Sequence, residues 1–418
     1  MDVVTAFFLL LLAASLGLQA WLALRQLAYV GSHRDEVPDA FRADVSAEAH
    51  RKAADYTVAK VRLGLVSLGF SAILLLIWTL GGGLDLVDRL WRAQIDSDLI
   101  RGVAIVLSVV VIGGILDLPL SIYATFVLEQ RFGFNRTTPW VFATDLVKSA
   151  LLGLIVGTPL VYAILWIMTA AGTFWWIYAW AVWMAFALVQ TWAYPRLIAP
   201  LFNRFTPLAD ESLRQRVERL ARATGFAIKD IFVMDGSRRS AHGNAYMTGF
   251  GAAKRIVFFD TLISTLQGDE VEAVLAHELG HYKLHHVPKK LGAAAVVSAV
   301  GWALLGWLSA EPWFYSGLGV TAPSPYMALL LFVMVGPLAA VFLRPILSRV
   351  SRRYEFEADD FAKQFSDARA LASGLVKLYR DNANTLTPDP VYSAFYHTHP
   401  PPALRIRHLA GEAPLSTR

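Results

Sequence analysis

Long apolar runs alternate with polar stretches along this chain, and the runs have the length of bilayer spans. About 20 apolar residues cross a membrane as a helix. Seven runs qualify, at roughly 3–24, 61–81, 102–128, 147–171, 174–195, 291–310 and 326–343. The third carries Asp117 and Pro119, which predicts a kink or a tilt. The first has Asp2 where a signal peptide would have basic residues, and it is too long for one, so it reads as a span.

Lys and Arg collect in alternate loops. Arg25, Arg34, Arg42, Arg51, Lys52 and Lys60 follow the first span, and Arg131 and Arg136 follow the third. The stretch 196–290 is rich in both, and Arg344, Arg349, Arg352 and Arg353 follow the seventh span. The connections near Gly172 and between Glu311 and Tyr326 hold none. The loop with Arg89, Arg92 and Arg101 breaks the pattern most, but it also carries four Asp. Basic loops mark the cytoplasmic side. The alternation therefore predicts an N-terminus outside and a C-terminus in the cytoplasm. The polar stretches 196–290 and 344–418 share that side.

Within 196–290 the pattern reads helix (208–224), strand (Ile231–Met234), strand (Asn244–Phe250), strand (Arg255–Phe259) and a helix from about 270. A turn at Gly251-Ala252-Ala253 would join the last two strands as a hairpin. The stretch 344–418 reads as mainly helical.

Composition agrees with lipid as the solvent. Apolar residues make up 56% of the 418, and charged residues 17%, against about 25% in a typical soluble domain. That excludes an ordinary soluble fold and a disordered chain. With no cysteine, disulfides, thiolate metal sites and cysteine nucleophiles are excluded, so a metal must be held by His, Asp or Glu. The net charge of +5 fits basic cytoplasmic loops better than nucleic-acid binding.

The most specific local pattern is the HExxH at His277-Glu278-Leu279-Gly280-His281. It needs a helix, because only positions i and i+4 set both imidazoles on one face toward one ion. Asp269 with Glu272 reads as an N-cap pair that starts such a helix. His277 and His281 are thus candidate zinc ligands, and Glu278 a candidate general base toward the attacking water. The plain alternative is a structural His pair on a surface helix. A catalytic zinc takes a third protein ligand and leaves one position open. The metzincin solution fails, because Leu284 and Val287 stand at its Gly and His positions. The segment Arg353-Tyr354-Glu355-Phe356-Glu357-Ala358-Asp359 is the best other source. Glu355 and Asp359 share a helix face, whereas Glu357 lies about 200° round from Glu355. Glu355 is assigned as the ligand. Asp359 is assigned as the acceptor that orients a ligating His through its other ring nitrogen. Without the HExxH the same segment would read as a solvated helix face. His285 and His286 extend the zinc helix but do not fit the three-ligand pattern, and read as surface residues or supports of the ligands.

These residues resemble the type 1 CAAX prenyl protease family, membrane-embedded zinc metallopeptidases. Beyond the HExxH and Glu355-x-x-x-Asp359, the likeness takes in Glu48 to Tyr56, Leu118-Pro119, Glu129 to Asn135 and Ile198 to Leu208. It continues through Asn244-Ala245-Tyr246, Lys254 to Thr261 and His399-Pro400-Pro401. It runs from about Val37 to Arg405 and covers most of the chain. The resemblance implies a mainly α, seven-span integral membrane fold with a cytoplasmic zincin-like (gluzincin) α+β protease domain capping a water-filled chamber. The chain then divides into a five-span membrane part (1–195), a zincin subdomain with edge strand and HExxH helix (196–290), two further spans (291–343) and C-terminal helices with the third ligand (344–418). The family's edge strand matches Asn244, Ala245 and Tyr246, and would pair with an extended substrate backbone; on the residues alone it is a short strand. By the same likeness His399 and Arg405 lie close to the metal. His399 would donate to the developing oxyanion, and Arg405 and His242 would contact substrate.

The expected activity is hydrolysis of peptide bonds near the C-terminus of prenylated, membrane-associated proteins, with one zinc ion, membrane lipid around the spans and no nucleic acid. A broader role in clearing membrane proteins is the alternative enzyme reading. A transporter or receptor with a structural zinc site is the rival from another class. A site-2-type protease fails on two counts: the HExxH is outside the spans, and no Leu-Asp-Gly occurs.

Overall fold

The computed structural model describes residues 2–226, 230–248 and 255–411. The turn expected at Gly251-Ala252-Ala253, and Phe250 beside it, lie outside the described residues. The membrane part comprises α1 (Val3–Ser32), α2 (Ala47–Trp78), α3 (Gly83–Arg92), α4 (Asp98–Tyr123, extended by a π-turn to Glu129), α5 (Pro139–Ala170) and α6 (Trp175–Ala193). A second π-turn leads from α6 to the short α7 (Ala199–Phe202). The protease part begins with β1 (Phe205–Pro207), α8 (Glu211–Ala223), β2 (Asp230–Met234) and β3 (Ala245–Thr248). It continues with β4 (Arg255–Phe259), α9 (Asp260–Thr265) and α10 (Gly268–Lys283). Next come α11 (His286–Leu308), α12 (Pro312–Ser316), α13 (Pro325–Ala340), α14 (Arg344–Phe365), α15 (Ala368–Asp381), α16 (Pro390–Tyr396) and α17 (Pro402–Leu409).

Seven helical segments among these are long and apolar enough to cross a membrane: α1, α2, α4, α5, α6–α7, α11 and α13–α14. The count agrees with the apolar runs, but the helices outrun them. A helix pairs its own backbone, so it continues into polar sequence wherever caps and tertiary contacts allow. α2 starts at Ala47, where Ser46 Oγ caps it by accepting from Ala49 N, so the whole Glu48–Tyr56 stretch forms the first turns of the second span, not a loop. The seventh span passes through a 3₁₀ turn (Val341–Leu343) straight into α14. Glu355 therefore sits on the continuation of a membrane helix.

The largest buried cluster among the spans lies at one end. Phe8, Leu84, Ile105, Leu165, Leu305 and Leu331 belong to a single buried cluster made from the start of α1, α4 and α13, the ends of α5 and α11, and α3. On α2 the buried residues stop at Tyr56, and only 6% of its apolar window is buried. The middle of α2 thus stands apart from that core, whereas α6 and α11 meet midway, Trp180 Nε1 donating to Ser298 Oγ at 3.2 Å. A cavity of about 820 Å³ bordered by Tyr56, Lys60, Arg344, Tyr379 and His399 lies beside one of about 750 Å³ bordered by Asp117, Glu129 and Asp145. Lys60, Gly64 and Ser67 of α2 line both.

The protease part has its own core, in which Val217, Leu220, Phe258, Leu275, Leu279, Ala362 and Leu371 are buried together. Its sheet has the order β1-β2-β4-β3. β1 was not anticipated: it is three residues long and ends on Pro207, which tolerates an edge because it has no N–H to pair. β3 is the opposite edge and pairs antiparallel with β4, Ala245 facing Phe258.

The start of α10 differs from the expected Asp269–Glu272 cap. Gln267 is the N-cap, in a reciprocal capping box with Glu270. Glu272 instead pairs with Arg216. Burial alone would push the Glu270 carboxyl up. Lys377, Ser373 and the Gln267 N–H outweigh that and hold it below the ordinary range.

Candidate metal centre

The HExxH lies on α10 and the Glu355-x-x-x-Asp359 segment on α14, and the two helices cross closely at Gly280. A Cβ at Gly280 would stand 3.1 Å from the Ala358 backbone, so only these small residues let the helix axes approach this far. That approach brings His277, His281 and Glu355 together. His277 Nε2 and His281 Nε2 are 3.2 Å apart. The two Glu355 oxygens lie 3.5 Å from His277 Nε2 and 3.3 Å from His281 Nε2. A tetrahedral ion with ligands at about 2.0–2.1 Å has ligand–ligand edges of about 3.3–3.4 Å. The three side chains therefore fit such an ion on one face and leave its fourth position unfilled by this set.

The surrounding groups favour Nε2 as the free lone pair. His277 Nδ1 lies 2.8 Å from Asp359 Oδ1, and Asp359 is fully buried. Arg405, also buried, donates through Nε and Nη2 to Asp359 at 2.8 and 2.7 Å. Burial and the Arg405 guanidinium disfavour an imidazolium at His277, but Asp359 and Glu355 outweigh them and raise its pKa. A cation would compete with that proton and release it on binding. His399 Nδ1 lies 2.7 Å from Glu355 Oε2, with most of its side chain exposed to the adjoining cavity. Glu278 is part-exposed, and its side chain has no hydrogen bond or ion pair among the described residues.

The expected substrate-side residues separate. Asn244, Ala245 and Tyr246 do run along the sheet edge, with Asn244 O accepting from Phe259 N at 3.0 Å. Burial, then Tyr194, pushes the Tyr246 phenol up to about 12. His242 does not face along that edge unencumbered. Its ring stacks on Phe134, Nδ1 lies 3.3 Å from Asn382 Oδ1, and Nε2 lies 3.5 Å from Tyr56 Oη and 3.6 Å from Glu129 Oε2. Both nitrogens thus lie near protein groups, while 33% of the side chain stays exposed. Arg405 is buried against the site itself: besides its two bonds to Asp359, its Nη2 lies 3.0 Å from His277 Nδ1 and 3.1 Å from His277 Nε2. Glu129 and Tyr56 carry contacts that the chain pattern gave no means to assign, whereas His286, read as a surface residue or a support of the ligands, stands against His281. Glu129 and Tyr56 fall within the family-like stretches, and that was the available signal.

Seven membrane-length helices and a His-His-Glu cluster on crossed helices define a membrane-embedded metalloprotease. Residues 26–204 match the CAAX prenyl protease N-terminal region of five membrane helices, and residues 207–413 match peptidase family M48. A CAAX prenyl protease 1 homolog of Arabidopsis thaliana is 39% identical over 82% of this chain and 80% of its own length. The Caenorhabditis elegans homolog is 32% identical over 96% of this chain and 97% of its own. The crystal structure of S. mikatae Ste24p superposes with a TM-score of 0.90 at 28% identity, covering 98% of this chain and 99% of that one. The chain belongs to the CAAX prenyl protease 1 family, within peptidase family M48.

Proposed function

We propose that this membrane metalloprotease uses one zinc ion, held by His277, His281 and Glu355, to hydrolyse peptide bonds near the C-terminus of prenylated membrane-associated proteins. The observation that carries the reading is the 3.2–3.5 Å triangle of Nε2, Nε2 and carboxylate beside an unpaired Glu278. Two nitrogens and one carboxylate with an open fourth side suit catalytic zinc, and a closed four-ligand structural site does not match them. Zinc in this place would polarise the scissile carbonyl and acidify the attacking water. Glu278 takes the proton from that water and hands it to the leaving amine. His399 donates to the oxyanion that develops on the carbonyl. Asp359 fixes the His277 ring, and Arg405 holds Asp359 in place. The extended substrate adds to β3 through main-chain hydrogen bonds. The prenyl preference rests on relatives named CAAX prenyl protease 1. The cavities among the spans suit a lipidated tail. The divisions at residues 196, 291 and 344 belong to the same proposal.

Mass spectrometry of products from a panel of matched prenylated and unprenylated peptides tests the substrate. The expected result is release of the C-terminal tripeptide from prenylated peptides by the wild type alone, with none from the Glu278→Gln protein. Cleavage of unprenylated peptides at equal rates and scattered positions would favour general clearance of membrane proteins.

Orientation is part of the reading: N-terminus outside, protease part and C-terminus cytoplasmic, as the Lys and Arg alternation supports. The absence of native cysteine makes single introduced cysteines clean reporters. In intact cells, cysteines at the exposed Ser32 and Ser212 should resist an impermeant thiol reagent, while one at Ser316 should label. A cysteine at Ser416, outside the described residues, should also be shielded. Labelling at Ser212 with protection at Ser316 would invert the topology.

A further inference from the structure

His281 is supported differently from His277, and the support leads out of the site. Its Nδ1 meets another imidazole: His286 Nδ1 is 2.9 Å away. His286 is buried, and its Nε2 lies 3.1 Å from Glu357 Oε2. The ring stacks on Tyr354 at 4.3 Å, with the planes 11° apart. Glu357 is completed by Arg353, 2.8 Å from Oε1.

One proton arrangement satisfies every link if His281 offers the lone pair of Nε2. His281 Nδ1–H then donates to His286 Nδ1, which leaves His286 Nε2–H to donate to Glu357. We infer that His286 and Glu357 form a positioning relay that fixes the tautomer and ring plane of His281 for metal binding. The inference rests on the zinc reading above. It gives Glu357 a task that its helix phase demands: it cannot reach the ion beside Glu355, but it reaches the residue behind His281.

The relay also joins three elements. His286 is the first residue of α11, the sixth span, and follows His285, which adopts a left-handed backbone (φ 57°). Glu357 stands on α14, which continues the seventh span. The orientation of one metal ligand is thereby coupled to the place where two membrane helices enter the protease part.

The test is zinc affinity of the purified full-length protein by chelator competition. His286→Phe keeps a flat ring against Tyr354 and removes both nitrogens. It should weaken zinc binding about 10- to 100-fold, the usual cost of losing a partner behind a ligand. His286→Gln presents an amide oxygen and N–H at similar spacing and should return affinity to within about threefold of wild type. With Co²⁺ in the site, His286→Phe should shift the ligand-field bands and His286→Gln should not. Wild-type affinity in His286→Phe would overturn the relay. Equal weakening in both variants would also overturn it, because ring packing alone would then explain the loss. Glu355→Ala is the control for the underlying reading: it should lose zinc far beyond either variant. If Glu355→Ala binds zinc like wild type, the ligand assignment itself is wrong and the relay falls with it.

Discussion

Glu278→Gln should retain its zinc and lose at least about two orders of magnitude in turnover, the scale of a positioned general base. The change is nearly isosteric, and Glu278 is bracketed by the two ligand histidines without being one of the three converging groups. Metal content should therefore be unchanged. The Glu278 side chain has no hydrogen bond or ion pair within the described residues, so the substitution breaks no side-chain bond that holds the helix. The folded state should keep its melting temperature. Turnover on a prenylated peptide, measured beside metal content and substrate dissociation constant, checks this. A zinc-loaded Glu278→Gln protein with wild-type turnover would remove Glu278 from the mechanism and require another base.

The chain pattern carried the membrane architecture because lipid imposes a simple rule: about 20 apolar residues and an internally paired backbone. All seven runs became helices. What the pattern could not carry was where those helices end. Apolarity stops at the lipid boundary, but backbone pairing does not, so α2 and α13–α14 continue into the polar parts. The HExxH and the phase of Glu355 against Glu357 were legible because helical spacing alone decides which side chains share a face. The contacts of Arg405, His242 and His286 were not. Each is set by elements far apart in sequence, such as Arg405 on Asp359 or His242 between Glu129 and Asn382. The N-cap at Gln267 was missed for a related reason. Glu270 is recruited to the box partly by Ser373 and Lys377 of α15, a hundred residues further on.

His399→Ala should keep its zinc and lose turnover by roughly a hundredfold or more, the cost of about 3–4 kcal/mol for removing an oxyanion donor. The three groups that converge within one ion's reach are His277, His281 and Glu355, so His399 is not needed to complete the set. Its side chain is 66% exposed, whereas those of His277 and Glu355 are 7% and 4% exposed. That exposure suits a group that meets substrate. Nδ1 lies 2.7 Å from Glu355 Oε2, so a proton there is held by the ligand carboxylate, and Nε2 remains for the cavity. A protonated ring can then donate to the carbonyl oxygen as it gains charge, an interaction stronger in the transition state than in the ground state. Substrate affinity should consequently stay near normal while turnover falls. Zinc content, the peptide dissociation constant and single-turnover rates on the purified variant separate the outcomes. Loss of zinc at saturating metal would make His399 a ligand and reopen the assignment of Glu355. An unchanged rate would make it a residue of the cavity wall, and the oxyanion donor would have to be sought elsewhere.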